Sequence, residues 1–339
     1  MRIVITGASG NAGTALLRRL AAGGEHELVG ISRRRPPGEP PYDAAEWAPV
    51  DIGEPGAADE LTTAFTGADA VVHLAWAIQP QRRPEVLRRT NQDGTAAVVD
   101  AAIAADVPHL VHQSSVGTYA PGPGCTVDET WPATGVPSSL YSVDKAAAER
   151  IVDRAEEHLL VTRVRPGLIF QDAAASEIAR YFLGPLVPRG LVRRRLLRLA
   201  PFPDELAFQL VAADDFAAAV ELVLRARPAG AVNVAAPPVI DRAAFAEIFG
   251  GVGPSMPVAA IRALAAAAWH ARLIPTEPGW LDMAAQVPCM DTGRLEALGW
   301  TPAHDARDVL GGFVDALRRG DGHPGPLLQP STRRRRPAR

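Results

Sequence analysis

Arg2-Ile3-Val4-Ile5 is an apolar, β-branched run that opens directly into Thr6-Gly7-Ala8-Ser9-Gly10-Asn11-Ala12-Gly13. Helical periodicity follows at once, in Thr14-Ala15-Leu16-Leu17-Arg18-Arg19-Leu20. A strand, a tight glycine turn and a helix start are what a dinucleotide pyrophosphate needs, because the helix offers unpaired N–H groups to an anion. Gly7 permits the sharp turn, Gly10 lets backbone approach the phosphates and Gly13 lets the helix pack close to the strand; with Asn11 and Ala12 they are the cofactor-binding candidates of the turn. The spacing is G-x-x-G-x-x-G, and a glycine-rich turn can also be only a turn.

Strands and helices alternate through the first half, which predicts a doubly wound parallel sheet of Rossmann type with helices on both faces. Strands are expected at Arg2–Thr6, Glu27–Ser32, Glu46–Val50, Ala70–Ala75, His109–Ser114 and Val161–Arg165. Helices are expected at Ala12–Ala22, Ala57–Phe65, Pro84–Ala105, Leu140–Glu156 and Asp214–Arg225. The expected division is a dinucleotide-binding domain over 1–166, to which about 205–235 returns, and a smaller substrate lobe over 167–320. After Pro166, Pro185, Pro188, Pro201 and Pro203 interrupt a stretch rich in Leu and Arg. Residues 324–339, with Arg333-Arg334-Arg335-Arg336, read as a disordered basic tail, solvated rather than bound to nucleic acid.

Charge and composition bound the partners. A net charge of −3 gives no overall attraction to nucleic acid or to an anionic membrane. The apolar helix near Val258–Leu273 carries Arg262, His270 and Arg272 and is too short to span a bilayer. Cys125 and Cys289 have no metal-ligand spacing, and no leader precedes the first strand, so the expectation is a cytoplasmic protein without a metal.

The end of the second strand speaks to the cofactor. Enzymes using NAD commonly have an acidic residue there, which accepts from the ribose hydroxyls. Here the run is Ser32-Arg33-Arg34-Arg35. Guanidinium groups suit a 2′-phosphate, since the planar fork makes two charge-assisted bonds. NADP(H) is therefore preferred, with NAD(H) as the alternative; the blander reading of Arg33 and Arg34 is a basic loop in water. Asp51 is placed to accept from the adenine amino group, or only starts a turn, while Ile52 packs on the ring. Leu74, Ala75 and Trp76 follow the fourth strand, where small residues let the nicotinamide-side ribose lie on backbone. His73 reads as a core histidine bonded to backbone.

The chemistry is expected from Tyr141-Ser142-Val143-Asp144-Lys145 with Ser114-Ser115 upstream. Residues four apart on a helix share one face. An ammonium beside a phenol favours its ionised form and brings its pKa toward working pH. Lys145 is also long enough to reach the ribose hydroxyls, and Ser115 would donate to a substrate oxygen.

These motifs resemble the extended short-chain dehydrogenases/reductases of the NAD-dependent epimerase/dehydratase family. The resemblance runs from Met1 to roughly Leu317. Besides the glycine turn it rests on His73-Leu74-Ala75, Thr90-Asn91-Gln92-Asp93-Gly94-Thr95, Ser114-Ser115-Val116-Gly117-Thr118-Tyr119 and Tyr141 with Lys145. Arg165-Pro166-Gly167, Ala213-Asp214-Asp215-Phe216-Ala217 and Gly299-Trp300-Thr301-Pro302 continue it. It implies a catalytic triad of Ser115, Tyr141 and Lys145, backbone after Pro166 against the nicotinamide carboxamide, and Asn91 either ordering the site or starting a helix. It also implies a homodimer through 84–105 and 140–156.

Departures narrow the activity. Phe208-Gln209-Leu210 stands where sugar-nucleotide enzymes carry an arginine anchor, and Phe170-Gln171 replaces the usual aromatic-glycine. Val116-Gly117 follow Ser115, without the acidic neighbour that dehydratases use. The arginines at 189, 193, 194, 195 and 198 either hold an anionic substrate group or form a solvated face. The leading expectation is an NADP(H)-dependent oxidoreductase moving hydride to or from a carbonyl or alcohol carbon of a small molecule. The alternatives are a sugar or nucleotide-sugar epimerase and a non-catalytic NADP(H)-binding regulator.

Overall fold

The structure is a computed structural model and describes residues 1–79, 81–183 and 192–323. Arg189 and the tail 324–339 with its four arginines, both singled out above, lie outside the described residues.

The strands are β1 (Arg2–Thr6), β2 (Glu27–Ser32), β3 (Glu46–Pro49), β4 (Ala70–His73), β5 (His109–Gln113) and β6 (Thr126–Val127). They continue with β7 (Leu160–Pro166), β8 (Leu168–Phe170), β9 (Phe208–Ala212), β10 (Gly230–Val234), β11 (Ala236–Ile240) and β12 (Cys289–Met290). Seven of them form one parallel sheet in the order β10-β7-β5-β4-β1-β2-β3. The β-branched run of β1 explains its central place. Ile3 and Ile5 bury into the core shared with helices Asn11–Gly23 and Ala213–Ala226, and Val4 into the core on the opposite face. A strand apolar on both faces fits only a sheet covered on both sides. The order reverses between β1 and β4, and the crevice at that switch point is where such sheets bind ligands.

Several elements differ from their expected bounds. Helix 84–105 is not continuous: Pro84–Arg88 and Gly94–Ala104 flank a π-helical turn over Arg89–Asp93. The helix after Ser139 stays α-helical only to Val152 and then tightens into a 3₁₀ turn. β4 ends at His73, two residues early, because the chain leaves the sheet there to cross the crevice.

Beyond Pro166 a second sheet, β11-β9-β8, is covered by helices Arg242–Phe249 and Ala306–Arg319. Within 205–235, the helix Ala213–Ala226 and β10 pack with the large sheet, whereas β9 belongs to the small one. Asp215 ties the two together. Its carboxylate accepts from Ala303 and His304 N–H, and its carbonyl accepts from the Trp300 indole. No helix among the described residues is long and apolar enough to cross a membrane.

Candidate active site

The glycine turn forms one wall of the crevice. Gly7 adopts φ +71, and a Cβ there would lie 2.7 Å from the Ala75 backbone. A Cβ on Gly13 would sit 2.3 Å from the Gly7 carbonyl oxygen. Both glycines are thus demanded by backbone contact rather than tolerated. Gly10 caps the helix Asn11–Gly23 with no side-chain bond, leaving the first N–H groups to a ligand. Gly7, Gly10, Asn11, Ala12 and Gly13 line one cavity together with Ser115, Tyr141, Lys145 and Pro166. This cradle fits a dinucleotide pyrophosphate.

Gln171, the departure from the family pattern, has a local purpose. Its amide donates to the Asn11 carbonyl at 2.7 Å and to Asn11 Oδ1 at 2.9 Å, while Asn11 Nδ2 donates to Ile169. The turn is thereby pinned to the lobe. Gln209, the middle residue of the run Phe208-Gln209-Leu210 that lacks the expected arginine, is equally occupied: it donates to the Met290 carbonyl and accepts from the Met290 N–H.

An adjoining cavity takes the end of β2. Ser32, Arg33, Arg34, Val50, Asp51 and Ile52 line it, and Ala75, Trp76 and Gly7 border both cavities. Arg33 and Arg34 are exposed and form no ion pair among the described residues. The Ser32 hydroxyl donates to the Arg34 carbonyl at 2.7 Å, shaping the turn that carries the arginines. Asp51 accepts from Gly53 N–H at 3.2 Å, so it starts a turn and also borders the cavity.

His73 needs correction. His73 is buried, as expected of a core histidine, but bonds two hydroxyls rather than backbone: Thr6 at 2.7 Å and Thr95 at 3.0 Å. Thr95 gives its own proton to the Asn91 carbonyl, so His73 Nε2 donates and Nδ1 accepts from Thr6. Burial pulls the imidazole down to about 3, which keeps it neutral. Asn91, expected among the cofactor-side residues either to order the site or to start a helix, grips Ala77 on the loop that borders the cavities. It accepts from Ala77 N–H at 2.8 Å and donates to its carbonyl at 2.9 Å, and it lines neither large cavity. The π-helical turn supplies the extra residue that aims it there.

Ser139 caps the helix Leu140–Val152 by accepting from Ser142 N–H, which aims Tyr141 and Lys145 at the crevice. Burial pushes the Tyr141 hydroxyl up to about 12, against the opposing hydrogen bond from Ser115. Lys145 is pulled down to about 7 by burial, partly offset by Glu149. The expected tuning of the phenol by the ammonium is therefore not the arrangement found. Lys145 Nζ donates to the Gln113 carbonyl at 2.9 Å and lies 3.6 Å over the Trp76 ring, but 6.0 Å from the Tyr141 ring centre. Gly117 lies close beneath the site: a Cβ there would lie 2.7 Å from Met283 Sδ and 3.1 Å from the Tyr141 ring, so a side chain would have to displace Met283.

The sequence reading missed the opposite wall. Trp280 packs 4.6 Å from Tyr141, Phe182 meets Trp280 edge-on at 4.9 Å, and Ile178, Tyr181 and Met283 complete the lining. The available signal was Pro278-Gly279-Trp280, a helix start in which a Cβ on Gly279 would lie 2.6 Å from the Ser138 carbonyl. The arginines at 193, 194, 195 and 198 do not line this cavity. Arg194 instead pairs with Asp315 at 3.0 Å on a separate surface cleft.

The family model described as the NAD-dependent epimerase/dehydratase family matches residues 3–235. The chain belongs to that family of NAD(P)-dependent oxidoreductases of the extended short-chain dehydrogenase/reductase type. L-arabinose 1-dehydrogenase (NAD(P)(+)) of Haloferax volcanii is 30% identical over 239 residues, covering 63% of this chain and 89% of its own. An uncharacterized protein of Mycobacterium tuberculosis is 29% identical over 327 residues; the match covers 94% of this chain and 30% of that longer protein. The UDP-glucose 4-epimerase of Thermus thermophilus, solved with NAD, superposes with TM-score 0.66 at 22% identity, covering 94% of this chain and 99% of the other. The dTDP-glucose 4,6-dehydratase DesIV of Streptomyces venezuelae gives 0.67 at 20%, covering 94% and 97%. These solved structures share the fold.

Proposed function

We propose that this family member is an NADP(H)-dependent reductase that converts a small-molecule carbonyl to an alcohol through Ser115, Tyr141 and Lys145. The observation that carries the reading is that these three side chains line the same cavity as the glycine cradle. Bound NADPH supplies the hydride and its two electrons. Ser115 and Tyr141 hold the carbonyl oxygen, and as the π pair moves onto that oxygen the Tyr141 hydroxyl gives it a proton. A phenol held up at about 12 stays protonated throughout the neutral range and so carries the proton that reduction requires. Lys145 supports the cofactor ribose and the return of a proton to Tyr141. Arg33 and Arg34, free of acidic partners among the described residues, read the 2′-phosphate, with NAD(H) the weaker ligand. Asp51, Ile52, Leu74, Ala75 and Trp76 hold the adenosine and ribose, and backbone after Pro166 holds the carboxamide.

Tyr141→Phe tests the roles directly. It removes one oxygen and keeps the ring between Trp76 and Trp280. Turnover should fall by about 10²–10⁴-fold while NADPH binding stays within a few-fold. Near-normal turnover would remove Tyr141 from the chemistry, and tight NADPH binding without turnover of any carbonyl or sugar would favour the regulator. The same reading takes a second copy of the chain as partner, across Pro84–Ala104 and Leu140–Val152. Sedimentation equilibrium giving twice the chain mass supports it.

A further inference from the structure

We infer that the substrate is an uncharged ring ketone with an apolar flank, and that Trp280 and Phe182 select it; this rests on the reductase reading above. The wall facing Ser115 and Tyr141 is made of Val116, Ile178, Phe182, Trp280 and Met283. Its rings form a continuous series: Tyr141 to Trp280 at 4.6 Å and tilted, then Trp280 to Phe182 at 4.9 Å and edge-on. Flat apolar surfaces at right angles suit a ring with a face and an edge, and give a flexible polar chain little to hold.

Charge argues in the same direction. Among the described residues, Lys145 is the one cation that lines this cavity, and it is committed to the Gln113 carbonyl and the Trp76 face. Glu177 lines the cavity as well. It is buried, its Oε1 accepts from the Tyr181 hydroxyl at 3.0 Å, and its Oε2 has no hydrogen-bond partner. A phosphate or carboxylate on the substrate would meet a carboxyl on this lining rather than a guanidinium, and an unpaired charge out of water is costly. The run Phe208-Gln209-Leu210 lacks the arginine that would anchor a diphosphate, and its Gln209 is engaged with Met290. A nucleotide diphospho-sugar therefore finds a wall of the wrong polarity.

The reduction adds hydride to the ring carbonyl carbon and a proton from Tyr141 to its oxygen, giving a secondary alcohol and NADP⁺. The test compares 2-tetralone and a 3-ketosteroid with UDP-4-keto-sugars, ketose phosphates and free L-arabinose, with NADPH or NADP⁺ as required. The expected result is a kcat/KM for a ring ketone at least 100-fold above that for any phosphorylated compound. Trp280→Ala and Phe182→Ala should each raise its KM at least tenfold with a smaller change in kcat, and Trp280→Phe should recover most of the loss. Quenching of tryptophan fluorescence by 2-tetralone in Tyr141→Phe reads binding without turnover. A phosphorylated or free sugar as the better substrate, or a ring-ketone KM indifferent to both alanine variants, would overturn the inference and leave hydride transfer standing. Saturable quenching by 2-tetralone with no ketone reduced would overturn the reductase reading and leave the ring site standing. No binding of either ring ketone overturns the inference.

Discussion

The wall of the cavity that carries the glycine turn is backbone, and the wall facing it is side chain. On the first, Gly7 and Gly13 touch carbonyl and Cα atoms of neighbouring turns, so position is set by the large sheet beneath. On the second, Trp280, Phe182 and Met283 come from short elements of the lobe and meet through ring contacts. Backbone walls tolerate little change. Side-chain walls repack, and they are where one member can differ from another.

Acid should strike the two regions unequally, and this is the largest effect expected. His73, His109 and His112 lie on β4 and β5, and burial holds them down, to about 3 and about 4 for the first two and well below the usual imidazole value for the third. The unfolded chain takes up these protons below roughly pH 6.5 while the folded chain does not. Their contribution is fully present above that pH and is lost as pH falls toward the folded values. Between pH 7 and 5 His73 and His109 should each cost about 2 kcal/mol of stability, with His112 acting in the same direction. Urea midpoints at the two pH values measure this, and an unchanged midpoint would contradict it.

Gly13→Val probes the backbone wall. The new side chain meets the Gly7 carbonyl and Ala8 backbone, none of which can move freely, so stability should fall by about 2 kcal/mol or more. Calorimetric titration should show NADPH affinity lost at least about 100-fold. A lobe substitution such as Trp280→Phe should leave the melting temperature within a few degrees. Equal losses would erase the contrast between the walls.

Arg33→Ala with Arg34→Ala sharpens the contrast from the cofactor side, since these side chains are the one discriminating element on an otherwise backbone wall. Each charge-assisted contact is worth about 1.5–3 kcal/mol before solvent screening. A selective loss of about tenfold or more in NADPH affinity, with NADH affinity little changed, is the expected outcome of paired titrations. Parallel weakening of both nucleotides would show that the arginines face only water.

Asn91→Ala should have the smallest effect. It removes both bonds to Ala77, costing about 1–2 kcal/mol, and loosens the loop after β4 that borders both large cavities, without removing a side chain that lines either of them. Urea titration gives the stability change. A loss of NADPH binding as severe as that of Gly13→Val would instead give Asn91 a direct role at the cofactor.

What the sequence disclosed divides along the same line. The strand, turn and helix at the start are local, and β-branched residues on both faces of β1 already imply a sheet covered on both sides. Tyr141 and Lys145 were legible because a spacing of four on one helix fixes a shared face. That spacing does not fix where the ammonium goes, and Trp76, 69 positions upstream of Lys145, draws it toward its own ring. The grip of Asn91 on Ala77 was hidden because it comes from a π-helical turn that periodicity does not announce. The aromatic wall was invisible for a simpler reason. Residues near 178–183 and 279–286 are joined by no period and by about a hundred residues, and only tertiary packing brings them to Tyr141.

Net reduction is the central claim, and isotope transfer tests it most directly. NADPH deuterated at both C4 positions should be consumed in a one-to-one ratio with ketone, and mass spectrometry should find one deuterium on the carbinol carbon of the alcohol. Tyr141→Phe should form little of that product while still binding the labelled nucleotide. An inverted substrate carbon carrying no deuterium, formed without net loss of NADPH, would contradict the reductase reading and identify an epimerase.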